Sequence, residues 1–149
     1  MNREKNGRFA STVKPRTHMI IPDTQCKPGV PLEHLYCAGL YAAEKKPDVI
    51  VHLGDHWDMA SLSSYETRGA KYFEGKRVVD DIAVGNEGLR LFETGLGVYQ
   101  PLQKIMLRGN HEYRIIRATN DDPKLEGIIG YHQFNDKELG WDVKEFLEP

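Results

Sequence analysis

Apolar residues in this chain gather in three short runs that each stop at polar side chains, and in two longer stretches where they recur every three or four positions. The short runs are Met19-Ile20-Ile21-Pro22 ahead of Asp23-Thr24-Gln25, Val49-Ile50-Val51-His52-Leu53 ahead of Gly54-Asp55-His56-Trp57-Asp58, and Ile105-Met106-Leu107 ahead of Arg108-Gly109-Asn110-His111-Glu112. Unbroken runs rich in β-branched residues predict buried parallel strands. Between the first two, Leu32, Leu35, Tyr36, Gly39, Leu40 and Ala43 make the stripe of an amphipathic helix that opens at Pro31 and closes at Lys45-Lys46-Pro47. Between the second and third, Val78, Ile82, Asn86, Leu89, Phe92, Leu96 and Tyr99 predict a helix over 77–99, with Gly85 and Gly88 as weak points in its middle. Strand, helix and strand in succession form a crossover unit, so Asp23 and Asp55 are expected at the same end of one sheet.

The rest of the chain is less regular. Residues 59–76 mix serine, threonine and glycine with Tyr65, Tyr72 and Phe73, the pattern of a long loop that either recognises a substrate or is merely tied down by its aromatics. A helix containing Tyr113, Ile115 and Ile116 follows Glu112. After Asp121-Asp122-Pro123, weaker helical patterns cover 125–134 and 137–147, with no further strand expected to end in a ligand.

Composition narrows this picture modestly. A chain of 149 residues is the size of one domain, and a net charge of −2 argues against strong non-specific binding to nucleic acid. Residues 1–16 carry five basic side chains against Glu4 and read as a flexible basic tail, which leaves 17–149 as the folded domain. The first residues lack a signal-peptide core, and no run approaches the ~20 apolar residues of a membrane span, so a cytoplasmic protein without membrane contact is expected. Cys26 and Cys37 have neither zinc-ligand nor redox spacing and are expected as free thiols.

Candidate chemistry lies at the three strand ends. Asp23, Asp55 and Asn110, with nearby histidines, offer oxygen and nitrogen ligands, and converging carboxylates are reconciled by a divalent cation between them. Two ions about 3.5–4 Å apart, bridged by a carboxylate, lower the pKa of a bound water and clamp a phosphoryl oxygen. That chemistry points to hydrolysis of a phosphate ester by a metal-bound hydroxide.

The ordered set Asp23-Thr24-Gln25, Gly54-Asp55-His56-Trp57-Asp58 and Gly109-Asn110-His111-Glu112 resembles the first three blocks of the calcineurin-like metallophosphoesterase family, written DxH, GDxxD and GNH(D/E). The resemblance spans about Thr17 to Arg117. It implies an α/β fold, the N-terminal βαβαβα half of a two-sheet sandwich whose mostly parallel sheet is flanked by helices. It also implies two divalent ions, with Asp23 and Gln25 on one, Asp55 bridging, and Asn110 on the other. His111 would hold the phosphate or protonate the leaving group, and Asp58 and Glu112 would orient their neighbours. Nucleotides or nucleic acid phosphodiesters are within the range of substrates it implies.

Two departures qualify the resemblance. Gln25 stands where the family usually has histidine, and an oxygen donor moves preference from zinc towards harder ions. Mn²⁺ is therefore the expected metal, with Mg²⁺, Fe or Zn²⁺ as alternatives. The family's later blocks, a lone histidine and a GHxH-like pair, have no counterpart, since His132 is the only histidine after His111 and matches neither. The domain is accordingly expected to be incomplete at its C-terminal side, with an uncovered sheet face through which copies associate. The alternative is a catalytically incomplete module that binds metal, phosphate or a partner without turnover.

Single residues carry plainer readings too. Asn110 could simply cap the following helix. His18 is expected to be structural, His34 solvated and His52 buried, which leaves His56 as the histidine to touch substrate. Arg108 and Arg114, with Arg117, either bind phosphate or form an ordinary solvated helix face.

Overall fold

The computed structural model describes residues 14–67 and 69–145. The basic tail expected over 1–16 falls mostly outside them. Four strands, β1 (His18–Ile21), β2 (Val49–His52), β3 (Gln103–Leu107) and β4 (Asp142–Lys144), form one parallel sheet in the order β1-β2-β3-β4. Three helices accompany it: α1 (Glu33–Lys45), α2 (Val78–Leu96) and α3 (Tyr113–Asp121). The fold is the expected α/β arrangement of a parallel sheet flanked by helices.

Register explains which strand residues are buried. Ile21, His52, Met106 and Val143 stand side by side across the four strands, and the first three are buried. Ile21 and Met106 join the core built with Leu35 and Ala42 of α1 and with Ile82, Leu89, Phe92 and Leu96 of α2. The adjacent row, Ile20, Val51 and Ile105, points the other way because strand side chains alternate. There Ile20 is 52% exposed, and Leu53 and Leu102 are exposed beyond the strand ends. The described residues therefore cover one face of the sheet and leave part of the other open.

Helix α1 begins with Glu33 in its first turn and ends with Lys45 in its last, charges that suit the two ends of a helix, and Lys46 closes it in the left-handed conformation. Helix α2 runs without interruption through the glycines that had seemed to weaken it. A side chain at Gly85 would collide with the Trp57 indole, and one at Gly88 would press on Leu35 and Cys26. These glycines cost helix propensity, about 1 kcal/mol each, and admit the side chains that follow Asp55.

The C-terminal third departs from expectation. Residues 125–134 and 137–145 are not α-helical, and 146–147 lie outside the described residues. Pro123–Leu125 and Tyr131–Gln133 are single 3₁₀ turns, and Asp142–Lys144 adds a fourth strand beside β3. Gly127 and Gly140, both at positive φ, interrupt the helical patterns at the points where the chain turns. No helix among the described residues is long and apolar enough to cross a membrane.

Candidate active site

The three polar blocks meet at the C-terminal ends of β1, β2 and β3. Beyond β1 the chain continues beside the Asp55 segment: the Gln25 N–H donates to the Asp55 carbonyl at 2.9 Å and the Cys26 N–H to the His56 carbonyl at 2.7 Å. The third block closes on the same residue, since the His111 N–H donates to Asp55 Oδ1 at 2.9 Å. A side chain at Gly109 would strike that carboxylate oxygen, so glycine is what allows the approach. Gln25 and Asp55 both adopt left-handed backbone conformations, with φ of 43° and 52°.

Two buried constructions hold these turns. Glu112, fully buried, accepts four backbone N–H groups: Oε1 from His56 at 2.6 Å and Trp57 at 3.0 Å, Oε2 from Asp55 at 3.0 Å and Gly109 at 2.8 Å. Burial pushes its carboxyl up from the ordinary range against the opposing pull of those N–H groups. Although it stands at the start of α3, Glu112 spends its oxygens on the Asp55 and Gly109 turns rather than on capping the helix.

The second construction is a relay of neutral histidines. The Gly54 N–H donates to His52 Nδ1 at 3.1 Å, so His52 carries its hydrogen on Nε2 and offers it to Thr24 Oγ1 at 3.1 Å. His56 must likewise donate from Nε2 to the Gly85 carbonyl at 2.8 Å, which leaves Nδ1 to accept from the Thr24 hydroxyl at 2.7 Å. Burial first, then a neighbouring imidazole, holds His52 well below the usual histidine range, and burial carries His56 down to about 4. Thr24 lies between Asp23 and Gln25, so the relay ties the first block to β2 and α2. Sequence reasoning missed Thr24 altogether; its signal was only that a hydroxyl stood between two candidate ligands.

Around this frame the candidate ligands face outward. Asp23, Gln25 and Asn110 are exposed, and their side chains make no hydrogen bond among the described residues. Asp55 is half-buried, with Oδ1 engaged as described. Asn110 does not cap α3, whose capping position is Glu112. His111 Nδ1 lies 2.9 Å from Asp58 Oδ1, and Arg114 donates to the Asp58 carbonyl at 2.8 Å. In kind, two carboxylates and two amide oxygens suit hard divalent ions. Among the described residues, no three His, Cys, Asp or Glu side chains form a group that could hold a metal ion.

Two expected substrate contacts are corrected. His56 is fully buried with both ring nitrogens committed, so it faces no substrate. Arg108 is also buried, ion-paired with Asp136 and enclosed by aromatic rings, its guanidinium 4.7 Å from the Tyr131 ring centre and 4.9 Å from that of Phe134. Trp57 stacks on Phe134 at 4.2 Å, so this cage fastens the 131–136 segment beneath the second and third blocks. Arg114 is buried as well and bound to Asp58, but it lines a cavity rather than an open helix face. Cys26 is a buried thiol pushed up to about 12, chiefly by burial, and behaves as a core residue.

The sequence profile of calcineurin-like phosphoesterases matches residues 30–147, well over half of the chain. The chain belongs to that family. The match takes in Asp55, Asp58 and the Gly109–Glu112 block and extends through β4, while Asp23 and Gln25 precede it. Searches of curated proteins and of solved structures each returned no match. Members of that family are typically phosphoesterase hydrolases that use two divalent metals.

Proposed function

We propose that this chain hydrolyses phosphate esters with two divalent ions, Mn²⁺ first among the candidates. The observation that carries the reading is the convergence on Asp55, whose carbonyl receives the Gln25 N–H and whose carboxylate receives the His111 N–H, while Asp23, Gln25 and Asn110, in the turns tied together there, are exposed with unengaged side-chain oxygens. Asp23 and Gln25 would hold one ion, Asn110 the other, and Asp55 both. Bound there, the ions would polarise the phosphoryl oxygens and supply an activated water.

The protein's own part is orientation and proton handling. An ionised carboxylate only accepts, so the Asp58 contact keeps a hydrogen on His111 Nδ1, and in the protonated ring the Nε2–H would donate to a phosphoryl oxygen or give its proton to the leaving oxygen. Asp58 is itself held through its carbonyl by Arg114. Nucleotides and nucleic acid phosphodiesters are the substrates to test first, together with small synthetic esters.

Asp55→Asn is the decisive variant. The amide keeps an oxygen for the His111 N–H but loses the charge that a bridging ligand needs, so calorimetry should find Mn²⁺ binding abolished. Unchanged metal affinity would sink the proposal. A panel of p-nitrophenyl phosphate, its bis ester and single-stranded DNA, assayed with Mn²⁺, sorts monoester from diester chemistry.

A second reading has one observation in its favour. The candidate set contains only two carboxylates, and no larger group of anionic or imidazole ligands forms among the described residues. A module that binds metal or phosphate without turnover fits that count. Tight Mn²⁺ binding by the wild type with no cleavage of any ester in the panel would select it.

A further inference from the structure

A cavity of ≈ 450 Å³ opens beside the candidate site, between the loop after Asp58 and helix α3. It shares a wall with the site: Arg114 lines the cavity and binds the Asp58 carbonyl, while the Asp58 carboxylate binds His111. Arg117, one turn further along α3, also lines it and donates to the Leu62 carbonyl at 3.4 Å. The volume lies in the range of small-molecule pockets, about 300–1,000 Å³.

The lining discriminates between occupants. Leu62, Phe73, Ala118 and Leu125 offer apolar surface, and the faces of Phe73 and the arginines suit a planar ring. Three carboxylates, Glu66, Asp121 and Asp122, stand against two guanidiniums, so the wall does not favour a second anionic group. Asp122 already accepts from the Lys124 N–H, and Asp121 too has a partner. A neutral, planar group with amino hydrogens to donate satisfies such a wall, whereas a continuing chain of phosphates does not.

We infer that this cavity takes the nucleoside portion of a phosphate ester, which makes the substrate a single nucleotide unit rather than a polynucleotide. The placement of the phosphate at Asp55 and His111 rests on the hydrolase reading above; the cavity's preference for a nucleoside does not.

Calorimetry on the full chain with Mn²⁺ tests it, using a nucleoside 5′-monophosphate and inorganic phosphate as separate probes. The nucleotide should bind about tenfold tighter than phosphate, the equivalent of one or two well-made contacts. Ser64→Trp, at an exposed position on the cavity wall, and Arg117→Ala should each remove most of that advantage and leave phosphate affinity unchanged. Thermal melts establish that both variants are folded. A nucleotide that binds no tighter than phosphate, or that keeps its affinity in both variants, overturns the inference, as does tighter binding of a single-stranded oligonucleotide than of the mononucleotide. If phosphate does not bind but the free nucleoside does, and Ser64→Trp abolishes that binding, the cavity assignment stands and the hydrolase reading falls.

Discussion

Neighbouring residues at the sheet's C-terminal edge fall into two contrasting sets. Thr24, His56 and Glu112 are engaged in internal hydrogen bonds, with His56 and Glu112 wholly buried. Asp23, Gln25 and Asn110, each one or two residues away in sequence, are exposed, and their side chains are bonded to nothing among the described residues. A buried polar group without partners costs roughly 1–3 kcal/mol, so the first set is arranged for stability. Exposed side chains that contribute nothing to folding are free to serve a ligand, and two of the candidate positions, Gln25 and Asp55, even sit in a backbone conformation that works against the fold. The contrast separates a frame from the donors it presents, and substitutions in the two sets should fail in different assays.

The largest effect is expected at Glu112. Replacing it with alanine leaves the N–H groups of Asp55, His56, Trp57 and Gly109 without their acceptor in a buried place. At roughly 1 kcal/mol or more for each, the loss is about 4 kcal/mol, a large fraction of the stability of a domain this size. Urea denaturation should show the midpoint collapse with or without metal. Glu112→Gln, which retains one acceptor oxygen but turns an amide NH₂ towards N–H groups, should fall between wild type and alanine.

What could be read from the sequence divides along similar lines. The strands at Ile20, Ile50 and Ile105 and the helices α1 and α2 were legible because an apolar period reports burial directly. The orienting roles expected of Asp58 and Glu112 came from a resemblance rather than from any periodic pattern around them. Strand β4 was illegible: it has three residues, of which Val143 alone is apolar, and pairing with β3 rather than any pattern of its own creates it. His56 and Arg108 were misread for a related reason. Their polarity suggested solvent, but Gly85 in α2 leaves room for Trp57, and the cage of Tyr131, Phe134 and Asp136 comes from residues far along the chain. Partners across long sequence separations leave no local signature.

The next effect tests the frame by pH. His56 is held down from 6.5 to about 4, and His52 is lowered in the same direction, so the unfolded chain binds protons that the folded one refuses. Both contributions to stability are fully present above pH 6.5, and that of His56 is lost as the pH falls towards 4, by roughly 3 kcal/mol. Glu112 and Asp81, both pushed up by burial, act in the opposite sense over part of that range. The imidazole is therefore isolated by comparison: the loss of stability between pH 7 and pH 5 should be smaller in His56→Gln than in wild type. Equal losses would place the proton elsewhere and weaken the relay through Thr24.

The smallest effect is the most telling about the donors. Gln25 has φ of 43°, a conformation that costs an ordinary side chain about 1 kcal/mol and costs glycine almost nothing. Its amide is exposed and unbonded among the described residues, so Gln25→Gly should raise stability by up to ~1 kcal/mol, or about 2–4 °C in melting temperature. Lys46 supplies the control, since it has φ of 51° at the C-terminus of α1, away from the three blocks. Lys46→Gly should bring a similar gain. The two variants must then part company in a Mn²⁺ titration: the Lys46 variant keeps wild-type affinity, while the Gln25 variant loses an oxygen ligand and binds more weakly. If both gain stability and both bind metal as wild type does, Gln25 is only a turn residue and the frame presents one donor fewer than proposed. If Gln25→Gly loses stability, its side chain belongs to the frame, and the division between the two sets fails at this position.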